Sequence, residues 1–221
     1  MIRALAALPL VLAASLAAAG TVVCPIDGTT FNYNDPPTEP IRGRYLDMKP
    51  VASHRTPWPL PQCPGNGFVV YKTGPFSAAE LEKLRAFVAS PSYRDMVGTH
   101  TNYYLSAVLR REAGDPLYDV AWALTQATWE ATDPARYRRY AEEALAAYNA
   151  LPRDLDRRRN TMREMISGEL ERRLGLFDVA EKRFRRLRDA AEFTAPQLQR
   201  VIELEIKLID KKDSGAHVMP R

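Results

Sequence analysis

Residues 162–188 read MREMISGELERRLGLFDVAEKRFRRLR. Met162, Met165, Ile166, Leu170 and Leu174 recur at helical spacing and place one apolar stripe along a helix, which Gly175 then closes. Phe177 opens a second periodic run, with Ala180, Phe184 and Leu187 on its apolar face. Only a short turn separates the two runs, so they form a helical hairpin. Small residues at Gly168 and Ala180 let the helices approach closely, and Phe184 fills the groove between them.

Working outward, the same grammar repeats. Gly168, Gly175, Phe177, Ala180 and Phe184 fall at the spacings of a tetratricopeptide unit. Residues 116–151 form a looser unit, with Ala141 or Ala144 at the small position and Tyr148 at the aromatic one. Asp115-Pro116 and Asp133-Pro134 each supply an N-cap followed by a first helical residue. Ser77-x-x-Glu80 is a capping box opening a helix that Pro91 ends, and a further helix over 101–112 stops at Gly114. A last helix over 196–211 caps the stack, and residues 213–221 are expected to fray as a flexible tail. The predicted fold is mainly α: a tetratricopeptide-like helical-hairpin stack over 77–212, behind a small β-ribbon-like, proline-rich segment over 20–76. A generic α-hairpin bundle is the alternative packing.

The segment before Ser77 obeys different rules. Of the 17 prolines, ten lie between residues 21 and 76, which forbids a long helix and leaves short strands and turns. Cys24-Pro25-Ile26-Asp27-Gly28 and Cys63-Pro64-Gly65-Asn66-Gly67 share one form, each followed within three residues by an apolar strand. This pairing of two Cys-Pro-x-x-Gly turns with repeat-type helices resembles an uncharacterised bacterial family that joins a CPxCG…CPxCG zinc ribbon to tetratricopeptide-like helices. Asp27 and Asn66 stand where that pattern has its second cysteines, so half of the family's zinc ligands are gone. The family implies no established reaction. The resemblance implies that the two knuckles face each other, and a modest closure of thiolates that once shared a metal brings Cys24 and Cys63 within disulfide range. A surviving metal site of Cys24, Asp27, His54 and Cys63 is the sharper alternative, and two free thiols the third.

A chain of 221 residues with 46% hydrophobic and 26% charged residues is a globular domain, neither disordered nor a coiled coil. Met1-Ile2-Arg3, the apolar run from Ala4 and Ala17-Ala18-Ala19 make residues 1–19 a signal peptide cleaved before Gly20. A mature chain exported across the inner membrane, periplasmic in a Gram-negative host, meets an oxidising compartment where a disulfide persists.

No Gly-x-Ser-x-Gly elbow, His-Glu-x-x-His, Walker loop or Gly-x-Gly-x-x-Gly occurs, and the three histidines lie in loop, boundary or tail positions. Glu169 and Glu205 interrupt apolar stripes, but arginines within reach let each pair or snorkel. Between Arg153 and Arg188 stand twelve basic residues against seven acids, a local excess of five where the whole chain carries +4. Arginine suits bidentate contacts to carboxylate or phosphate, although a solvated helix face gives the same count. Arg157, Arg158 and Arg159 are the candidate partner contacts within this run. Trp122 and Trp129 share one face of a helix and offer aromatic anchors if they line a groove, or inter-helix core if they do not. The expectation is a non-enzymatic binding or scaffold protein of the bacterial envelope, whose helical groove engages a protein or peptide partner. A zinc-binding ribbon protein with helical support is the alternative. No cofactor, nucleic-acid partner or stable membrane anchor is expected, despite a pI near 9.1.

Overall fold

The computed structural model describes residues 19–152, 156–190 and 193–220. The expected leader falls, but for Ala19, outside the described residues. Two short antiparallel pairs come first: β1 (Ala19–Val23) with β2 (Thr30–Asn34), registered Val23 against Thr30, and β3 (Gly43–Arg44) with β4 (Pro50–Val51). Eight helices follow among the described residues: α1 (Ala78–Val88), α2 (Pro91–Met96), α3 (Asn102–Ala113), α4 (Leu117–Glu130), α5 (Pro134–Asn149), α6 (Arg157–Arg173), α7 (Phe177–Asp189) and α8 (Pro196–Asp210). From α3 onward each helix packs on the next, which makes the fold a mainly α, tetratricopeptide-like stack of hairpins.

The helix starts follow local chemistry. Ser77 Oγ accepts from the Glu80 backbone N–H at 3.2 Å while the Glu80 carboxylate accepts from the Ser77 N–H at 2.6 Å, a complete capping box. The Asp133 carboxylate accepts from the Arg136 N–H at 2.8 Å, with Pro134 as the first helical residue. Asp115 departs from the expected cap: Pro116 is the N-cap of α4, and the Asp115 carboxylate instead takes Arg110 at 2.9 Å. Pro91 both follows α1 and begins α2, with Ser90 as N-cap, because proline at the first helical position loses no hydrogen bond. Asp156 caps α6 a full turn before the apolar stripe begins, over an Arg-Arg-Arg stretch that carries no hydrophobic period.

Packing explains the small residues. A Cβ on Gly168 would lie 2.5 Å from the Phe184 ring, so α6 and α7 meet at a distance only glycine permits. Ala107, Ala121, Ala127, Ala141 and Ala144 are fully buried with Leu124, Ile166 and Leu170 in the largest core cluster, which draws α3 to α6 together.

The tail is a correction to expectation. Residues 213–220 do not fray; they dock on the helices and on the hairpin of β3 and β4. The Leu46 N–H donates to the His217 carbonyl at 2.9 Å, the Met219 N–H donates to the Arg44 carbonyl at 2.8 Å, and Tyr45 bridges Val218. Arg172, fully buried on α6, holds the start of this tail through the carbonyls of Asp213 and Gly215. The proline-rich arm is fastened as well. Asn102 donates to the Leu60 carbonyl at 2.8 Å, the Lys49 ammonium to that of Trp129 at 3.1 Å, and Leu46 is buried against Val201 and Leu208 of α8.

Candidate functional site

The two knuckles come together. Cys24 and Cys63 form a disulfide with a Cα–Cα separation of 5.6 Å. The turns are built alike. In each, the cysteine N–H donates to a carbonyl five residues on (Thr29, Phe68), and the glycine N–H returns to the cysteine carbonyl (from Gly28, from Gly67). Gly28 and Gly67 have φ near +76° and +73°, the left-handed geometry these turns require. Asp27 and Asn66 face one another, with the Asn66 amide donating to the Asp27 carboxylate at 2.8 Å. Each also caps its own turn through the backbone N–H two residues on, and that bond to Thr29 does most to hold the Asp27 carboxyl below its ordinary range. The alternative metal set of Cys24, Asp27, His54 and Cys63 is corrected by this arrangement. Both sulfurs are bonded to each other, and the described residues contain no group of three or more His, Cys, Asp or Glu able to hold a metal ion. His54 lies against Trp58 instead.

Part of the arginine-rich run lies inside the fold, although most of its described basic residues (Arg157, Arg158, Arg159, Lys182, Arg185, Arg186 and Arg188) are exposed. Arg172 is fully buried between Glu169 (2.6 Å) and Glu205 (2.8 Å), both only 1% exposed. Burial raises both carboxyls, Glu205 to about 7, against the pull of Arg172. Arg173 lies over the Tyr137 ring at 4.6 Å, and Arg183 binds Glu171 and Glu164. These glutamates pair within the fold; none snorkels.

The first turn of α6 differs. There Arg158 and Arg159 reach toward α4, where Tyr118 and Trp122 stand one turn apart on one face. With Asp156 and Met162 they enclose a cleft of about 520 Å³. The Arg159 guanidinium sits 5.4 Å over the Tyr118 ring and 3.5 Å from the Asp156 carboxylate that caps the helix. Burial, more than the nearby charges, raises the Tyr118 hydroxyl, so it is a neutral donor and acceptor at neutral pH. Trp129, expected beside Trp122 as an anchor, is only 8% exposed. Its ring meets Trp122 edge-on at 5.5 Å and backs it from the core instead of lining the cleft.

Arg158 and Met162 are shared with a second, apolar cleft of about 580 Å³. Its walls hold Leu46, Leu198 and Val201, with Arg157 and Arg158 among the polar residues lining it. Four of the chain's six methionines line it too: Met48 from the arm, Met162 and Met165 from α6, and Met219 from the tail. The two clefts thus adjoin at Arg158 and Met162, one aromatic and basic and the other thioether-lined, and the pair is termed the groove. Arg157, Arg158, Arg159 and Trp122 all contribute to it. Compared with protein-family models, with curated proteins and with solved structures, the chain matches none. Leu46, Met48 and Met219 were not legible as groove residues, because their segments bear no period that docks them on a helix.

Proposed function

We propose that the chain is an exported, non-enzymatic binding protein of the bacterial envelope, whose groove takes an amphipathic, acidic segment of a protein or peptide partner. One observation carries this reading: a methionine-lined apolar cleft that shares Arg158 and Met162 with an adjoining aromatic cleft, both edged by arginines of one helical turn. Thioether side chains are unbranched and polarizable and adapt to varied apolar partners. Arg157, Arg158 and Arg159 select carboxylates beside them through charge complementarity. The disulfide fits a non-cytoplasmic, oxidising environment, which supports export. No helix of the described residues is long and apolar enough to cross a membrane. On the same reading the N-terminal knuckles are a degenerate zinc ribbon, in which a disulfide and the Asp27–Asn66 hydrogen bond stand in for four thiolates and a metal.

The test is a panel of synthetic amphipathic peptides in two versions, one carrying glutamate and one lysine on the polar face, titrated by the change in the chain's tryptophan emission, to which Trp58, Trp122 and Trp129 contribute. The acidic version saturates with the native chain and loses at least tenfold in affinity with R158E/R159E, about 1.4 kcal/mol. Equal binding of both versions, or of neither, overturns the proposal.

A further inference from the structure

On the other side of α6, away from the groove, a cavity of about 660 Å³ opens between α5, α6 and α7. It shares no lining residue with the groove, and its chemistry is different. Glu164 is the single carboxylate among its lining residues, and three guanidinium groups converge on it: Arg163 at 3.1 Å, Arg183 at 2.6 Å and Arg186 at 2.6 Å. Arg183 also holds the buried Glu171 at 2.7 Å, which leaves three arginines against two carboxylates. Burial works to raise the Glu164 carboxyl, but Arg183 and Arg186 outweigh it and keep the group below its ordinary range, so the carboxylate is a fixed negative centre.

The second observation is Ser167. It lines this cavity, is 1% exposed, and its buried hydroxyl has no hydrogen-bond partner. A serine in a helix ordinarily satisfies itself on the carbonyl a turn before, and an unpaired buried hydroxyl costs about 1–3 kcal/mol. A fold-stabilising role accounts for alanine here, not serine. A hydroxyl donor, guanidinium forks in excess and the nearby Asn160 amide are the groups that recognise an oxyanion and its polar substituents. The volume lies within the range of small-molecule sites, roughly 300–1,000 Å³.

We propose that this cavity binds a small polar molecule bearing an oxyanion, phosphate or carboxylate, seated on Arg163, Arg183 and Arg186 with the Ser167 hydroxyl donating to it. The test is an amide and arginine side-chain NMR titration of the full chain with inorganic phosphate in one arm and malonate in the other. Saturable shifts at Ser167, Asn160 and the three arginines are expected, and the arm that saturates first names the oxyanion. S167A removes a hydroxyl with no partner, so it leaves stability unchanged or raised while weakening binding several-fold. R186Q removes a half-exposed guanidinium and weakens binding about tenfold. K182Q, an exposed charge on the same helix, changes neither. The proposal is overturned if neither anion gives saturable shifts, which assigns the cavity to water alone. It is equally overturned if K182Q weakens binding as much as R186Q, or if S167A destabilises the fold and leaves binding intact.

Discussion

Replacing Gly168 with alanine places a methyl carbon 2.5 Å from both Cε2 and Cζ of Phe184 and 3.2 Å from Cδ of Arg183. Carbon atoms in contact sit about 3.5–4.0 Å apart, so the ring or the whole of α7 must retreat by about 1 Å. The ring has little freedom to do so, because it is fully buried among Ala180, Leu187, Phe193 and Ile202. Overpacking of this kind costs about 1–3 kcal/mol, and an overlap against a locked ring belongs in the upper half of that range. Alanine returns about 1 kcal/mol of helix propensity over glycine. The net loss is therefore about 1–2 kcal/mol, at about 2–4 °C in Tm for each. Urea unfolding of G168A, F184L and the double variant measures it. Because leucine vacates the space the methyl needs, the double variant is less destabilised than the sum of the singles, by about 1 kcal/mol. If G168A unfolds at or above the native midpoint and the two changes add, the close α6–α7 packing is refuted.

Reduction of the Cys24–Cys63 bridge reopens a loop of sequence separation 39, and the chain-entropy relation gives a loss of about 4 kcal/mol, read as the difference between urea midpoints with and without reductant. The variant D27C/N66C, kept reduced, takes up one zinc per chain, since the two replaced side chains already meet at 2.8 Å; absence of stoichiometric metal counts against the ribbon reading. Glu205, faced by Arg172, Arg173 and Glu169, is raised from near 4.5 to about 7 in the folded chain. The folded state thus holds that proton more tightly than the unfolded state does. The contribution is fully present below about pH 4.5 and is lost as pH rises through about 7, so the stability of the native chain falls relative to E205Q across that window.

The helical part of the fold was largely legible because its signals are local. Ser77 with Glu80, Asp133 with Pro134, and Gly168 with Phe184 each state their roles within a few residues or one hairpin. The short helix after Ser90 was missed because proline ends one helix and begins the next with the same letter. The docking of residues 213–220 was illegible for a different reason: it depends on Arg172, whose guanidinium has donors left after two buried glutamates are satisfied. Nothing in the tail's own residues announces that. Of the candidate site, the arginines and Trp122 stood out by type and spacing, whereas Met48 and Met219 join it only through long-range pairing of arm and tail. Trp129 was ambiguous because the pattern gives the face of a helix but not what covers that face.

The groove is tested most directly by its methionine methyl groups. With labelled methionines, titration of an acidic amphipathic peptide shifts the methyls of Met48, Met162, Met165 and Met219 together. Met96, packed against two core clusters but absent from the lining of the cleft, stays in place as the internal control. Peptide binding that leaves those four methyls unmoved, or moves Met96 as far as the rest, contradicts the groove as the binding site.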